Sequence, residues 1–205
     1  MLYKEMPVSS TQRLFFTLTL QPTLARNIVH WRNQTFDVQR PARPTPATQL
    51  HLTLAFLGDT RPAQRDSVCR IAERLQNQPF SLTLDNLGHW PKAGIIWLGP
   101  RYSPRPLLAL ASALRAAAVR CGLPQPATPF SPHITLFRRA HHPLILPSQT
   151  PGWSVSFSHF SLYCSELTPR GSRYTELQRW SLGAPCSLIP FGMRPLNSPL
   201  QTLSG

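Results

Sequence analysis

From Arg13 to Leu182 the chain alternates short β-type runs with helical stripes. Arg13–Leu20 (RLFFTLTL) is rich in aromatic and branched residues and reads as a strand. On it Leu14, Phe16, Leu18 and Leu20 form one apolar face, and Phe15, Thr17 and Thr19 point the other way. Pro22 suits the first turn of a helix reaching about Asn33, with Leu24, Ile28 and Trp31 on one face. A Pro-rich loop, RPARPTPATQ, leads into a strand, HLTLAFLG, that begins at His51. A second helix, about Pro62 to Gln76, places Val68, Ile71, Ala72 and Leu75 at i, i+3, i+4 and i+7. FSLTLDNL and GIIWLG are strands, with Pro91, Lys92, Ala93 and Gly94 as the turn between them. A third helix, about Arg105 to Arg120, stops at Gly122. PQPATPFSP is loop, HITLFRR is the next strand, and strands near Trp153–Ser165 and Arg173–Leu182 close the order. The sequence β-α-β-α-β-β-α-β-β-β, with hairpins among its strands, predicts an α+β fold of largely antiparallel sheet. Residues 1–12 read as a flexible leader. Residues 184–205 hold Pro185, Pro190, Pro195 and Pro199 without periodicity and read as an extended or disordered tail.

Composition narrows the class. A chain of 205 residues, 41% hydrophobic, can bury a core as one domain or two small lobes. No run approaches the roughly 18 apolar residues of a membrane span. The opening MLYKEMPVSSTQ lacks the apolar core of a signal peptide, so a soluble, cytoplasmic protein is expected. Cys69, Cys121, Cys164 and Cys186 form no C-x-x-C and read as free thiols. Neither H-E-x-x-H, a P-loop nor G-x-G-x-x-G is present. The eight acidic residues are scattered, so no carboxylate-built metal site is expected. Net charge is +13, almost all arginine, with Lys4 and Lys92 the only lysines. Guanidinium forks pair with phosphate oxygens, so a polyanionic partner suits this balance; an arginine-rich composition with solvated charges would look the same.

The chemistry resides in a pattern that occurs twice. His51 and Thr53 begin one strand, and His133 and Thr135 begin another. Residues i and i+2 share a strand face, so each histidine stands beside its threonine. Leu52, Leu54 and Phe56 should point the opposite way, as should Ile134, Leu136 and Phe137. If the two strands face one another, two imidazoles and two hydroxyls converge. One neutral ring can take a proton from water while one charged ring gives a proton to a leaving oxygen. The hydroxyls can donate to non-bridging oxygens as charge moves onto them. That chemistry requires no metal or cofactor, and a cyclic phosphodiester suits it best.

HLTLAFLG and HITLFR resemble the paired HxTx motifs of the two-histidine phosphoesterases. With RLFFTLTL, FSLTLDNLGHW, WLGP and RYTELQRW they resemble the bacterial RNA 2′,3′-cyclic phosphodiesterase family, formerly called 2′-5′ RNA ligases. The resemblance covers about residues 13–183. It implies a single bilobal domain there, with two pseudo-symmetric lobes of mainly antiparallel sheet, helices outside, and the motif strands lining a central cleft. It implies hydrolysis of RNA 2′,3′-cyclic phosphate ends to 2′-phosphomonoesters, with reversible 2′-5′ joining; tRNA fragments are one candidate class of such ends, and nothing in the sequence demands more than a monomer. By the same resemblance His51 is the proton donor, His133 the proton acceptor, and Thr53 and Thr135 hold the phosphate. Arg138 matches the family's phosphate-binding arginine, although plain alternation from His133 would bring Arg139 to the histidine face; a bulge or strand end after Phe137 would be needed. Phe15 suits stacking on a base at the RNA end, with a second buried layer as the competing explanation. His141 and His142 read as surface residues, His30 and His89 as structural or exposed, and His159 as strand surface. Arg173 and Tyr174 could line the cleft, with a surface charge and a packed ring as the simpler readings. A non-catalytic RNA-end module, or a phosphodiesterase for a small cyclic nucleotide or a 2′-5′ linked oligonucleotide, would share these motifs.

Overall fold

The computed structural model describes residues 11–36, 42–142, 145–147, 149–169 and 171–183. The 184–205 tail and residues 1–10 of the leader lie outside that set, as does Cys186; Cys69, Cys121 and Cys164 are free. Among the described residues three helices and ten strands follow in chain order: β1 (Gln12–Thr19), α1 (Pro22–Thr35), β2 (Arg43–Pro44), β3 (His51–Thr60), α2 (Pro62–Ala72), β4 (Phe80–Leu84), β5 (Asn86–Trp90), β6 (Ile95–Gly99), α3 (Arg105–Arg120), β7 (Ile134–Arg138), β8 (Trp153–Phe157), β9 (His159–Thr168) and β10 (Gly171–Ser181). A short 3₁₀ turn, Ala47–Gln49, precedes β3. No described helix is long and apolar enough to cross a membrane.

Each helix has proline in its first two positions (Pro22, Pro62, Pro106), where the missing N–H is not needed. Helix α3 buries Leu107, Leu110, Ala111, Leu114, Ala117 and Ala118 on one face. It ends where Gly122 takes φ 73° and the Leu123 N–H returns to the Ala118 carbonyl at 2.9 Å. Helix α2 stops at Ala72, short of the expected Gln76. Helix α1 turns differently from its apolar stripe: Ala25, Ile28 and Arg32 are buried, while Leu24 and Trp31 are half-exposed. The reason is Arg32, whose guanidinium finds backbone carbonyls inside the protein and so can be buried.

All strand pairs are antiparallel, which establishes the α+β class. The main sheet runs β10-β9-β1-β3-β7-β6-β5, with β2 also on β7; β4 and β8 form a separate pair. The expected strands FSLTLDNL and Trp153–Ser165 are each two strands. FSLTLDNL breaks at Asp85 and the other run at Ser158, and each gives one strand to each sheet. The two motif strands do not face one another across a gap. They are neighbours at the centre of one sheet, so β9-β1-β3 on one side answers β5-β6-β7 on the other. The lower face of this centre is core: Leu52, Leu54, Ile134 and Leu136 are at most 1% exposed.

Candidate active site

Leu52 on β3 pairs with Ile134 on β7. Antiparallel register then sets His51 across from Thr135, and Thr53 across from His133, on the upper face. The imidazoles occupy diagonal corners of this arrangement. Diagonal neighbours on a sheet face lie roughly 7–8 Å apart, room for one tetrahedral phosphate between two rings.

Each ring is held the same way. Nδ1–H of His51 donates to the Gln49 carbonyl at 2.7 Å, and Nδ1–H of His133 donates to the Ser131 carbonyl at 2.8 Å. A carbonyl only accepts, so Nδ1 carries the hydrogen and Nε2 is left with the free lone pair in both neutral rings. Aromatic walls brace them. His51 lies 5.0 Å from Phe15 and 5.3 Å from Tyr174 between ring centres. His133 lies 4.7 Å from Trp90 and 6.5 Å from Trp97. Trp97 rests on Gly88, where a Cβ would fall 2.1 Å from the indole; only glycine fits. Burial pushes the His51 pKa down to about 4; the Arg138 and His133 charges push the same way, against the Gln49 bond. Burial also lowers His133, helped by Arg138 and opposed by the Ser131 bond.

The strands break alternation at matching places. Along β1, Phe16 pairs with Ala55 and Thr17 with Thr53, so Leu54 is skipped. Along β6, Ile96 pairs with Phe137 and Trp97 with Thr135, so Leu136 is skipped. Each is a β-bulge one residue after the motif threonine. Leu54 and Ala55 are consecutively buried, as are Leu136 and Phe137. The next residues, Phe56 and Arg138, are exposed. Phe56 is therefore not on the core face that alternation assigns it; it lines a cavity with Thr53, Trp90 and His133. The bulge supplies the shift that Arg138 requires, and Arg138 is close enough to depress both histidines. Directly after it Arg139 adopts φ 60°, ending the strand. The Thr45 N–H at 2.9 Å and Arg32 Nη1 at 3.4 Å both reach the Leu136 carbonyl, fixing the bulge from beneath.

Phe15 is 4% exposed, packed among His51, Tyr163 and Tyr174. It is both a buried layer and part of the floor of a cavity of about 660 Å³ beside His51. Tyr174, expected as a packed ring, packs on His51 and lines that cavity, and His159, expected on a strand surface, lines it too. Arg173 pairs with Glu166 at 2.7 Å on the surface. His89 bonds the Ala140 carbonyl, His141 bonds the Pro91 carbonyl, and His30 and His142 are exposed. Among the described residues no three His, Cys, Asp or Glu side chains gather as metal ligands.

An antiparallel sheet carrying two crossed His-Thr pairs on adjacent strands defines a two-histidine phosphoesterase. Comparison with known proteins agrees, and the chain belongs to the 2′-5′ RNA ligase superfamily, whose model matches residues 20–163. It is 41% identical over 175 residues to the RNA 2′,3′-cyclic phosphodiesterase of Escherichia coli, covering 85% of this chain and 99% of that one. The enzyme of the same name from Thermus thermophilus is 33% identical over 185 residues, covering 83% and 90%. The crystal structure of E. coli LigT complexed with 3′-AMP superposes with a TM-score of 0.80 at 41% identity, covering 84% and 98%.

Proposed function

We propose that this chain hydrolyses RNA 2′,3′-cyclic phosphate ends to 2′-phosphomonoesters. The supporting observation is the crossed register, which sets both rings at diagonal corners of one sheet face, each with Nδ1 held by a carbonyl and Nε2 left over. Nε2 of neutral His133 takes a proton from water as its oxygen bonds to phosphorus. The P–O3′ bond breaks, and Nε2–H of charged His51 gives its proton to O3′. The phosphate stays on O2′. Thr53, Thr135 and Arg138 hold the non-bridging oxygens as charge builds there. The nucleoside lies on the His51 side, its base in the cavity floored by Phe15.

The free site holds His51 neutral near pH 7, because burial keeps its pKa at about 4. Its role as donor therefore depends on the substrate: an anionic phosphodiester beside the ring favours the imidazolium. The chemistry needs only the two imidazoles, so no metal or cofactor enters the scheme. The strongly basic balance suits RNA over an uncharged ligand, and tRNA fragments are one class of such ends. Residues 13–183 are the catalytic unit, acting as a cytoplasmic monomer; the described helices and strands run from Gln12 to Ser181. The test offers an RNA ending in a 2′,3′-cyclic phosphate, in EDTA, and identifies the product. A 2′-phosphomonoester is expected. A 3′-phosphomonoester, or turnover abolished by EDTA and restored by a divalent ion, refutes the scheme.

A further inference from the structure

The cavity beside His51 carries two guanidinium groups that opening a cyclic phosphate does not use. Arg26 reaches it from α1 and Arg179 from β10, so cations from two elements enter one space of about 660 Å³. Among the described residues no acidic side chain lines that space. Arg179 is held in one orientation. Its Nε–H and Nη2–H donate to the two Glu176 carboxylate oxygens at 2.6 and 2.7 Å, and the Ser161 hydroxyl donates to Glu176 at 2.8 Å. A guanidinium has five N–H donors, so three remain, among them the parallel pair at the Nη1–Nη2 end. Arg26 is exposed and makes a single 3.3 Å bond, from Nη2 to the Thr23 hydroxyl of its own helix. With Glu176 set against Arg179, the three side chains leave one net positive charge. Strand register places Arg179 away from the reacting phosphorus. Thr17 pairs with Thr53 on one side and Ser161 on the other, and Ser161 pairs with Arg179. Arg179 is therefore level with the motif threonine but three strands away, roughly 14 Å at the usual strand spacing.

We propose that Arg26 and Arg179 bind the phosphodiester that joins the terminal nucleoside to the rest of the RNA, so that the preferred substrate is the cyclic end of a chain and not a free nucleoside 2′,3′-cyclic phosphate. The inference rests on the cyclic-phosphate reading above. In that reading the cyclic phosphate lies between the imidazoles and the base lies over Phe15. O5′ is at the opposite end of the ribose from O2′ and O3′, so the phosphate it carries points away from His51. The width of one nucleoside separates the two phosphates, and Arg179 stands beyond that width. Its free Nη1–Nη2 end matches a pair of non-bridging oxygens, and Glu176 has already fixed the plane of the fork. Arg26 closes on the same group from the helix side. One net positive charge answers the single negative charge of a diester. No bond forms or breaks here; the subsite holds the chain while the histidines act.

The experiment measures kcat/KM of the full chain and its Arg26→Gln and Arg179→Met variants on three substrates. These are adenosine 2′,3′-cyclic phosphate, its 5′-phosphorylated form, and 3′–5′ adenylyl-adenosine ending in a 2′,3′-cyclic phosphate. Charge-assisted bonds at a partly exposed site predict that the full chain prefers both substrates with a phosphate on O5′ by about tenfold, mainly through KM. Each variant should bring that preference down toward unity, and about 0.5 M KCl should do the same for the full chain. A full chain that opens all three substrates equally well overturns the subsite, while the hydrolase reading stands. So does a preference found with the dinucleotide alone, because the second base then supplies it. A preference that Arg26→Gln retains in full, or equal losses on every substrate, also overturns it; Arg26 is exposed on α1, so its variant reports whether or not Arg179→Met folds. A full chain that opens no 2′,3′-cyclic phosphate overturns the hydrolase reading and the subsite together.

Discussion

The His51 and His133 halves share one backbone design and present different chemistry from it. His51 opens β3 and His133 directly precedes β7; each hooks its imidazole to the carbonyl two residues before, and each strand skips a leucine after the threonine. The residue delivered by the bulge then differs: Arg138 beyond Thr135, next to His51, and Phe56 beyond Thr53, next to His133. One half gains a fixed cation for an anionic group. The other gains an exposed apolar ring. Repetition of the backbone holds two imidazoles alike, and divergence at a single strand position gives the two halves different chemical surroundings.

The largest effect comes from either imidazole. His51→Ala and His133→Ala should each slow hydrolysis of the cyclic phosphate by about 10²–10⁴-fold with the fold retained, as initial rates and circular dichroism will show. If one half were only a binding surface, its variant would keep the full rate. Next is the cation. Arg138→Met removes a charged donor to the phosphate and should cost on the order of 10²-fold in kcat. It also removes a charge that depresses both histidines, so the limb of the pH–rate profile set by imidazole ionisation should move to higher pH. A limb that moves down, or stays, would place Arg138 away from the rings.

Stability separates the halves further. The His51 pKa is about 4 in the folded chain against an ordinary 6.5, so between those values the unfolded chain binds more protons. Its neutral ring is accommodated without cost above pH 6.5. Stability is lost as pH falls through 6.5 toward 4, by up to about 3 kcal/mol. Urea unfolding of the parent and of His51→Phe should diverge in this window, with the variant losing less on acidification. The smallest effect is structural. Arg32→Met leaves the Thr45 carbonyl without its buried donor, at about 1–3 kcal/mol in unfolding free energy. Because Arg32 also reaches the Leu136 carbonyl, the variant should lose cyclic phosphate turnover while a bulge-independent property, such as helix content, holds.

How far the sequence announced this site depends on the residue. Alternation sufficed for His51, Thr53, His133 and Thr135, since the first residues of both strands are regular. It failed two residues later. Leu54-Ala55-Phe56-Leu57 and Leu136-Phe137 are consecutive apolar residues, where alternation marks no face, and a bulge falls within each; alternation therefore misplaced Phe56 and left Arg138 unsupported. Asp85 and Ser158 divided runs that looked continuous, because no glycine or proline marks either break. Arg32 joins Ile28 on the buried side of α1, since a cation can be interior when carbonyls reach it, and those carbonyls belong to distant segments. Tyr174 meets His51 only through the pairing of β10 with β9 and of β9 with β1, a contact that no local pattern contains.

The most direct test of two imidazoles sharing one phosphate is a double-variant cycle on cyclic phosphate hydrolysis. If both act in a single transfer, His51→Ala combined with His133→Ala should be about as slow as the slower single variant, because one missing partner already disables the step. Losses that multiply, so that the double variant is slower by the product of the two single factors, would mean that the rings act independently and would contradict the shared site.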